Sequence, residues 1–131
     1  MKKYIVMLAM IFSGLILAQN NPKATTITSR DVTVMTEKKD VITPEYATIT
    51  IGKGGKSEKM SLFVKYTADI TYNLNFIKDP NEEIVTIKGN KCSRFKLFDG
   101  EGHHVGVYII NNIKKEMVIV TSTEQFILKV K

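Results

Sequence analysis

The chain has 131 residues, 44% of them apolar and 24% charged, with only 3 Pro and 8 Gly. Those proportions exclude a disordered tail, a collagen-like repeat and a multi-domain assembly, and leave one small domain as the expectation. The net charge is +6, but 17 of the 19 basic residues are Lys and only Arg30 and Arg94 are Arg. The guanidinium fork that reads phosphate and guanine is thus nearly missing, and no nucleic-acid partner is expected.

At the N-terminus, Lys2 and Lys3 precede an uncharged run from Tyr4 to Leu17, closed by the small residue Ala18 and then Gln19-Asn20-Asn21-Pro22. This is the layout of a secretory signal peptide. The apolar run of 14 residues is shorter than the roughly 20 that a bilayer span needs, so no stable membrane span is expected after cleavage. Cleavage is expected after Ala18, which makes residues 1–18 a signal peptide and the protein secreted or periplasmic. Without residues 1–18 the chain keeps 17 bases against 13 acids, a net charge of +4. Cys92 is the only cysteine, so no internal disulfide forms and the core must hold the fold. It reads as a small, half-buried residue in the turn over 88–93.

Hydrophobic residues then alternate with a period of two along nearly the whole chain, and no helical stripe interrupts them. Residues 19–29 are polar and Thr-rich, a flexible arm in which only Thr25 to Thr28 could pair at a sheet edge; residues 30–131 form the single β domain. Val32 and Val34 share a face before the charged turn Glu37-Lys38-Lys39-Asp40. Ala47, Ile49 and Ile51 share another, with Pro44 marking a strand start. Met60, Leu62, Val64 and Tyr66 read as inward, and so do Ile70, Tyr72, Leu74 and Phe76 against Asn73 and Asn75. Lys78-Asp79-Pro80-Asn81-Glu82-Glu83 is a turn by its chemistry.

Shorter strands follow at 84–88, 94–98, 105–110, 117–121 and 125–130. Turn signals recur about every ten residues, as in a sandwich or small barrel. Three of these segments, Ile84 to Ile87, Val107 to Ile110 and Met117 to Val120, are apolar on both faces, so something covers their second face: a loop, the arm or another protein. With Val107, Ile109, Met117 and Ile119 inward, the outward set is Tyr108, Ile110, Val118 and Val120, which becomes the candidate contact patch.

Candidate chemistry is sparse. Gly52-Lys53-Gly54-Gly55-Lys56-Ser57 ends like a phosphate-binding loop, but Thr50 stands where that motif needs Gly and a strand pattern follows it where a helix is required. It reads as a Lys-rich hairpin loop. Asp99, Glu101, His103 and His104 have metal-ligand chemistry, yet adjacent histidines on a strand point to opposite faces. The plainer reading is a hairpin turn over Asp99–Gly102. There is no Gly-x-Ser-x-Gly, no His-Glu-x-x-His and no Cys-His pair with an orienting partner, so no enzyme activity, no cofactor and no metal is expected. Trp is absent, and the aromatic residues form no stacking platform.

Phe98-Asp99-x-x-Gly102-x-x-Val105 followed by Gly106-Val107-Tyr108-Ile109-Ile110 resembles a strand pair in the sorting modules of proteins exported by type IX secretion. In those modules the turn and the strand are well separated, whereas here they abut. The likeness is confined to residues 98–110 and assigns no family.

The chain is therefore expected to be all-β: an antiparallel β-sandwich of immunoglobulin-like type without a disulfide, with about eight or nine short strands, or alternatively a small meander β-barrel. The expected function is that of a non-catalytic β-domain of the bacterial cell envelope, acting on a protein partner or by self-association. The alternative is a barrel carrying a small apolar ligand, which the large inward residues Tyr66, Tyr72, Phe76 and Phe95 disfavour.

Overall fold

A computed structural model describes residues 25–54 and 57–130. Strands and turns make up those residues, with no helix among them. The strands are β1 (Thr25–Ser29), β2 (Asp31–Thr36), β3 (Val41–Ile42), β4 (Tyr46–Gly54), β5 (Ser57–Lys65), β6 (Thr71–Lys78), β7 (Glu83–Ile87), β8 (Asn90–Phe98), β9 (His104–Asn111), β10 (Glu116–Thr121) and β11 (Glu124–Lys129). The all-β expectation holds, with eleven strands in place of eight or nine. The additional ones are edge pieces: β3 is two residues long, and β1 is the end of the arm, zipped against β4 from Thr25↔Ile51 to Ser29↔Ala47. The rest of the expected arm, residues 19–24, and the whole signal segment lie outside the described residues.

All pairings are antiparallel, in the order β1-β4-β5-β6-β8-β9-β10-β11-β2-β3, with β7 against β8. One junction is narrow, since β6 meets β8 only through Ile77↔Phe98 and Lys78↔Leu97. On the far side Arg30 alone separates β1, on β4, from β2, on β11. The buried Ser29 hydroxyl pins this corner: it lies 2.5 Å from the carbonyl of Lys129 and accepts from the Asp31 amide at 3.1 Å.

Turn chemistry explains the hairpins. Lys88 and Gly89 both take positive φ, 49° and 86°, the type I′ geometry whose twist matches two flanking strands. The charged turn after β2 closes as expected: the Lys39 amide donates to the Thr36 carbonyl and the Thr36 amide to Asp40, with Lys39 at φ 67°. Asp99 builds its turn as expected, accepting from the amides of Glu101 and His103 at 2.9 Å each. Asn111 caps the β9–β10 turn by accepting from the amides of Ile113 and Lys114.

One core joins both halves of the strand order. Ala47, Ile49, Met60, Leu62 and Val64 come from β4 and β5, and Val32, Val34, Tyr108, Ile119, Phe126 and Leu128 from the other half. The alternation read for β2, β4 and β5 is the observed one. For β6 it is right only at the far end: Phe76 is buried and Leu74 partly so, but Ile70 is 58% and Tyr72 38% exposed. The physical reason is that β6 outruns its neighbour. Residues 71–76 have β5 on one side and no strand of the β8 side on the other, and Ile70 belongs to the preceding turn, where its carbonyl accepts from Tyr66 and Thr67.

Candidate functional site

The β9–β10 hairpin decides where the expected patch lies. Its register sets Tyr108 opposite Ile119 and Ile110 opposite Met117, and directly opposed residues of an antiparallel pair share a face. Ile119 is fully buried and Met117 nearly so, so Tyr108 and Ile110 face the core with them; Tyr108 is 1% exposed. The four residues Tyr108, Ile110, Val118 and Val120 thus split between two faces. Val118 and Val120 look outward, but their neighbours there are Ile109 and Val107. The phase of β9 was unreadable because a strand apolar on both faces has no alternation, and only its partner's register sets it.

The corrected outer surface is Val107 and Ile109 of β9, Val118 and Val120 of β10 and Ile127 of β11, each partly exposed. Arg94 and Lys96 of β8 bound it on one side, opposite Ile109 and Val107, and Thr33 of β2 on the other, opposite Ile127. The result is an apolar strip across three strands with a basic margin. Arg94 is not free there, since it donates to Glu83 at 2.9 Å.

The third segment read as apolar on both faces, 84–87, is not covered. It is β7, an outlying strand whose Ile84 is 62% exposed. Cys92 is not in a turn either: it sits within β8 opposite Val85, 2% exposed, with its thiol 3.6 Å from the Asn90 carbonyl. Burial in a strand pair denies that sulfur the access a nucleophile needs.

One charged cluster went unread in the sequence. Lys78, assigned to a turn, is the last residue of β6 and 6% exposed; its ammonium bonds Glu58 of β5 at 2.5 Å and lies 3.8 Å from the centre of the Phe95 ring. The cross-strand pair Glu58↔Lys78 brings the charges together. Continuing the period of two from Leu74 and Phe76 to residue 78 is the signal that would have found it. A carboxylate partner and an aromatic face together lower the cost of burying this charge.

The remaining polar groups do local work. His103 Nδ1 is 3.2 Å from Asp99 and 3.8 Å from Glu101, all on an exposed turn, and no group of three or more metal-ligating side chains occurs among the described residues. The backbone N–H of His103, foremost, lowers the Asp99 carboxyl below its ordinary value. Burial raises the phenols of Tyr66 and Tyr72, with the Glu124 carboxylate adding to both. The β4–β5 strands run straight up to the glycine-rich tip, and β5 follows where a phosphate-binding loop needs a helix; Gly55 and Lys56 lie outside the described residues.

A surface cleft of about 290 Å³ opens between β1 and the β9–β10 hairpin, lined chiefly by Ile27, Ile110, Met117 and Val130. It is at the small end of ligand pockets, which run from about 300 to 1,000 Å³. No described helix is long and apolar enough to cross a membrane. What fold and surface define is a class, an all-β protein of one open antiparallel sheet with an apolar outer strip. Comparison with family models, curated proteins and solved structures finds no match for this chain.

Proposed function

We propose that this is an exported, non-catalytic β-domain of the bacterial cell envelope that acts through protein contact. The observation that carries the reading is the strip Val107, Ile109, Val118, Val120 and Ile127, whose residues stay partly exposed on the outer face. Contiguous apolar surface on a sheet face is the ordinary mark of a contact site. The basic margin at Lys96 favours a partner whose own apolar patch is edged by carboxylates. Export rests on the Lys2–Ala18 layout alone.

For the architecture we propose a sandwich, with β1, β4, β5 and β6 forming one layer and the remaining strands the other. Three features support it: the two-residue junction of β6 with β8, the crossing of the chain from β4 to β11 at Arg30, and the Tyr72–Phe126 ring pair, 6.4 Å apart, between β6 and β11. A strand that switches sheets at a corner is a usual device of sandwiches. The carrier reading is weaker, because Tyr108, Phe126, Met60 and Leu97 fill the interior, and the clefts among the described residues, of about 290 to 500 Å³, open at the surface.

The test replaces Ile109 and Val118 with Lys. Wild type should bind an envelope partner that the folded double variant no longer binds; unchanged binding would sink the reading. For export, the intact mass of secreted protein should start within two residues of Gln19, and a dominant membrane species retaining Met1 would replace secretion with anchoring.

A further inference from the structure

The strand β7 has one partner and one open edge. It pairs with β8 from Glu83↔Arg94 to Ile87↔Asn90, and no other described strand lies against it. Ile87 and Asn90 flank the two-residue turn Lys88-Gly89, so they exchange both backbone bonds, and such pairs alternate along an antiparallel ladder. Glu83, Val85 and Ile87 therefore turn their N–H and C=O groups toward β8. Ile84 and Thr86 turn theirs to the open edge. Both residues are exposed, as is Ile87 at 36%.

Folded proteins guard such edges with short strands, Pro, Lys or bulges. At one end of the strand order that guard is visible: β3 is only two residues long. The five residues of β7, Glu-Ile-Val-Thr-Ile, contain no Pro, Lys or bulge, and their one charged side chain, Glu83, is tied to Arg94 of β8. Their flanks carry opposite charge, Glu82 before the strand and Lys88 after it. Glu82 accepts from Ser93 of β8 through Oε2, a bond its carboxylate must share or leave to reach past the open edge.

We propose that β7 pairs edge to edge with β7 of a second copy of this chain, about a two-fold axis at Val85, so that one sheet runs through a dimer. With that axis Ile84 of one copy faces Thr86 of the other, and each such pair exchanges both outward backbone bonds. Glu82 then faces Lys88 of the second copy, twice by symmetry. Moving the axis to Ile84 or Thr86 keeps the bonding phase but parts those charges, which is why Val85 is the centre. The edge lies apart from the outer strip, so this dimer does not depend on the contact reading above. A five-residue strand pair covers less than the roughly 800 Å² per partner of a standard interface, and the association is accordingly weak and dependent on concentration.

The experiment is light scattering over a concentration series on the full secreted protein, with circular dichroism to confirm the fold of each variant. Wild type should show a monomer–dimer equilibrium that weakens with salt. Thr86→Pro removes one outward N–H and none of the bonds to β8; it should be folded and monomeric. Lys88→Glu should weaken the dimer, and combining it with Glu82→Lys should restore it. A wild type that stays monomeric at its highest soluble concentration overturns the proposal. So does a dimer that survives folded Thr86→Pro, and if that dimer is lost in Ile109→Lys/Val118→Lys the outer strip is the interface instead. Should Thr86→Pro fail to fold, the charge reversal and its restoration decide the matter alone, and no restoration counts against the edge.

Discussion

The hydroxyl of Tyr108 lies 3.2 Å from the thioether sulfur of Met117, inside the core and diagonally across the β9–β10 hairpin. A thioether is a weak acceptor, so the phenol is held chiefly by the packing of its ring, which lies 6.1 Å from that of Phe95. Tyr108→Phe should therefore change stability by less than about 1 kcal/mol, whereas Tyr108→Ala should cost about 3–5 kcal/mol as a cavity. Urea unfolding at neutral pH checks both.

The same burial raises the Tyr108 phenol to about 12 from an ordinary value of 10.0. The folded state holds the proton more tightly than the unfolded state, so this contribution is fully present below pH 10 and is lost as pH rises from 10 through 12. Stability of wild type and Tyr108→Phe, measured side by side between pH 8 and 12 (roughly the window around the tyrosine value), should diverge only above about pH 10, with the Phe variant declining less. Parallel curves would mean that the phenol is already accessible.

Lys78 and Glu58 make an asymmetric pair, with side chains 8% and 23% exposed. Removing the carboxylate strands a buried ammonium, so Glu58→Gln should cost several kcal/mol, up to the roughly 3–5 found when buried pairs are broken. Lys78→Met keeps the volume and leaves only the more exposed carboxylate, so it should cost markedly less. Denaturant midpoints of the two variants rank the effects. The reverse order would mean that the charge on Lys78 is solvated.

Gly106 and Gly89 separate two reasons for a glycine. A Cβ built on Gly106 would stand 2.3 Å from the Val120 carbonyl oxygen, a backbone atom that cannot swing aside, so Gly106→Ala should push β9 from β10 and cost about 1–3 kcal/mol or more. Gly89 has open space around it but φ at 86°, so Gly89→Ala should cost only about 1 kcal/mol, from backbone strain. Thermal melts distinguish the two.

Three positions in β5 and β6 test how far the core reaches. Leu62 is fully buried, Leu74 only partly and Asn73 is exposed. Leu62→Ala should cost about 2–5 kcal/mol, Leu74→Ala less, and Asn73→Ala within about 0.5 kcal/mol of zero. Equal losses at Leu74 and Leu62 would mean that β6 is covered along its whole length.

The all-β class, the turns at Glu37–Asp40 and Asp99–Gly102, and the inward faces of β2, β4 and β5 follow from local sequence, because alternation and turn residues act over a few neighbours. Val32 and Ile49 had polar neighbours on both sides to mark their phase, and Leu62 had Ser61 on one. Tyr108 and Val118 had apolar neighbours on both sides, and Ile110 and Val120 a polar one only at the strand end: on strands apolar on both faces, the face is chosen by the partner's register, and the β9–β10 pairing put Tyr108 with Ile119 in the core. Tyr72 obeys alternation yet stays exposed because β6 extends past β8, and Ile70 because it lies in the turn before β6, both matters of which strands meet and how far they overlap. The period of two from Leu74 and Phe76 carries on to Lys78, but its partners Glu58 and the Phe95 ring come from other strands, and no local pattern encodes a partner 20 residues away in sequence. β7 is an open edge for the same reason: its own five residues dictate a strand, and the reach of its neighbours decided that one side of it would be left without a partner among the described residues.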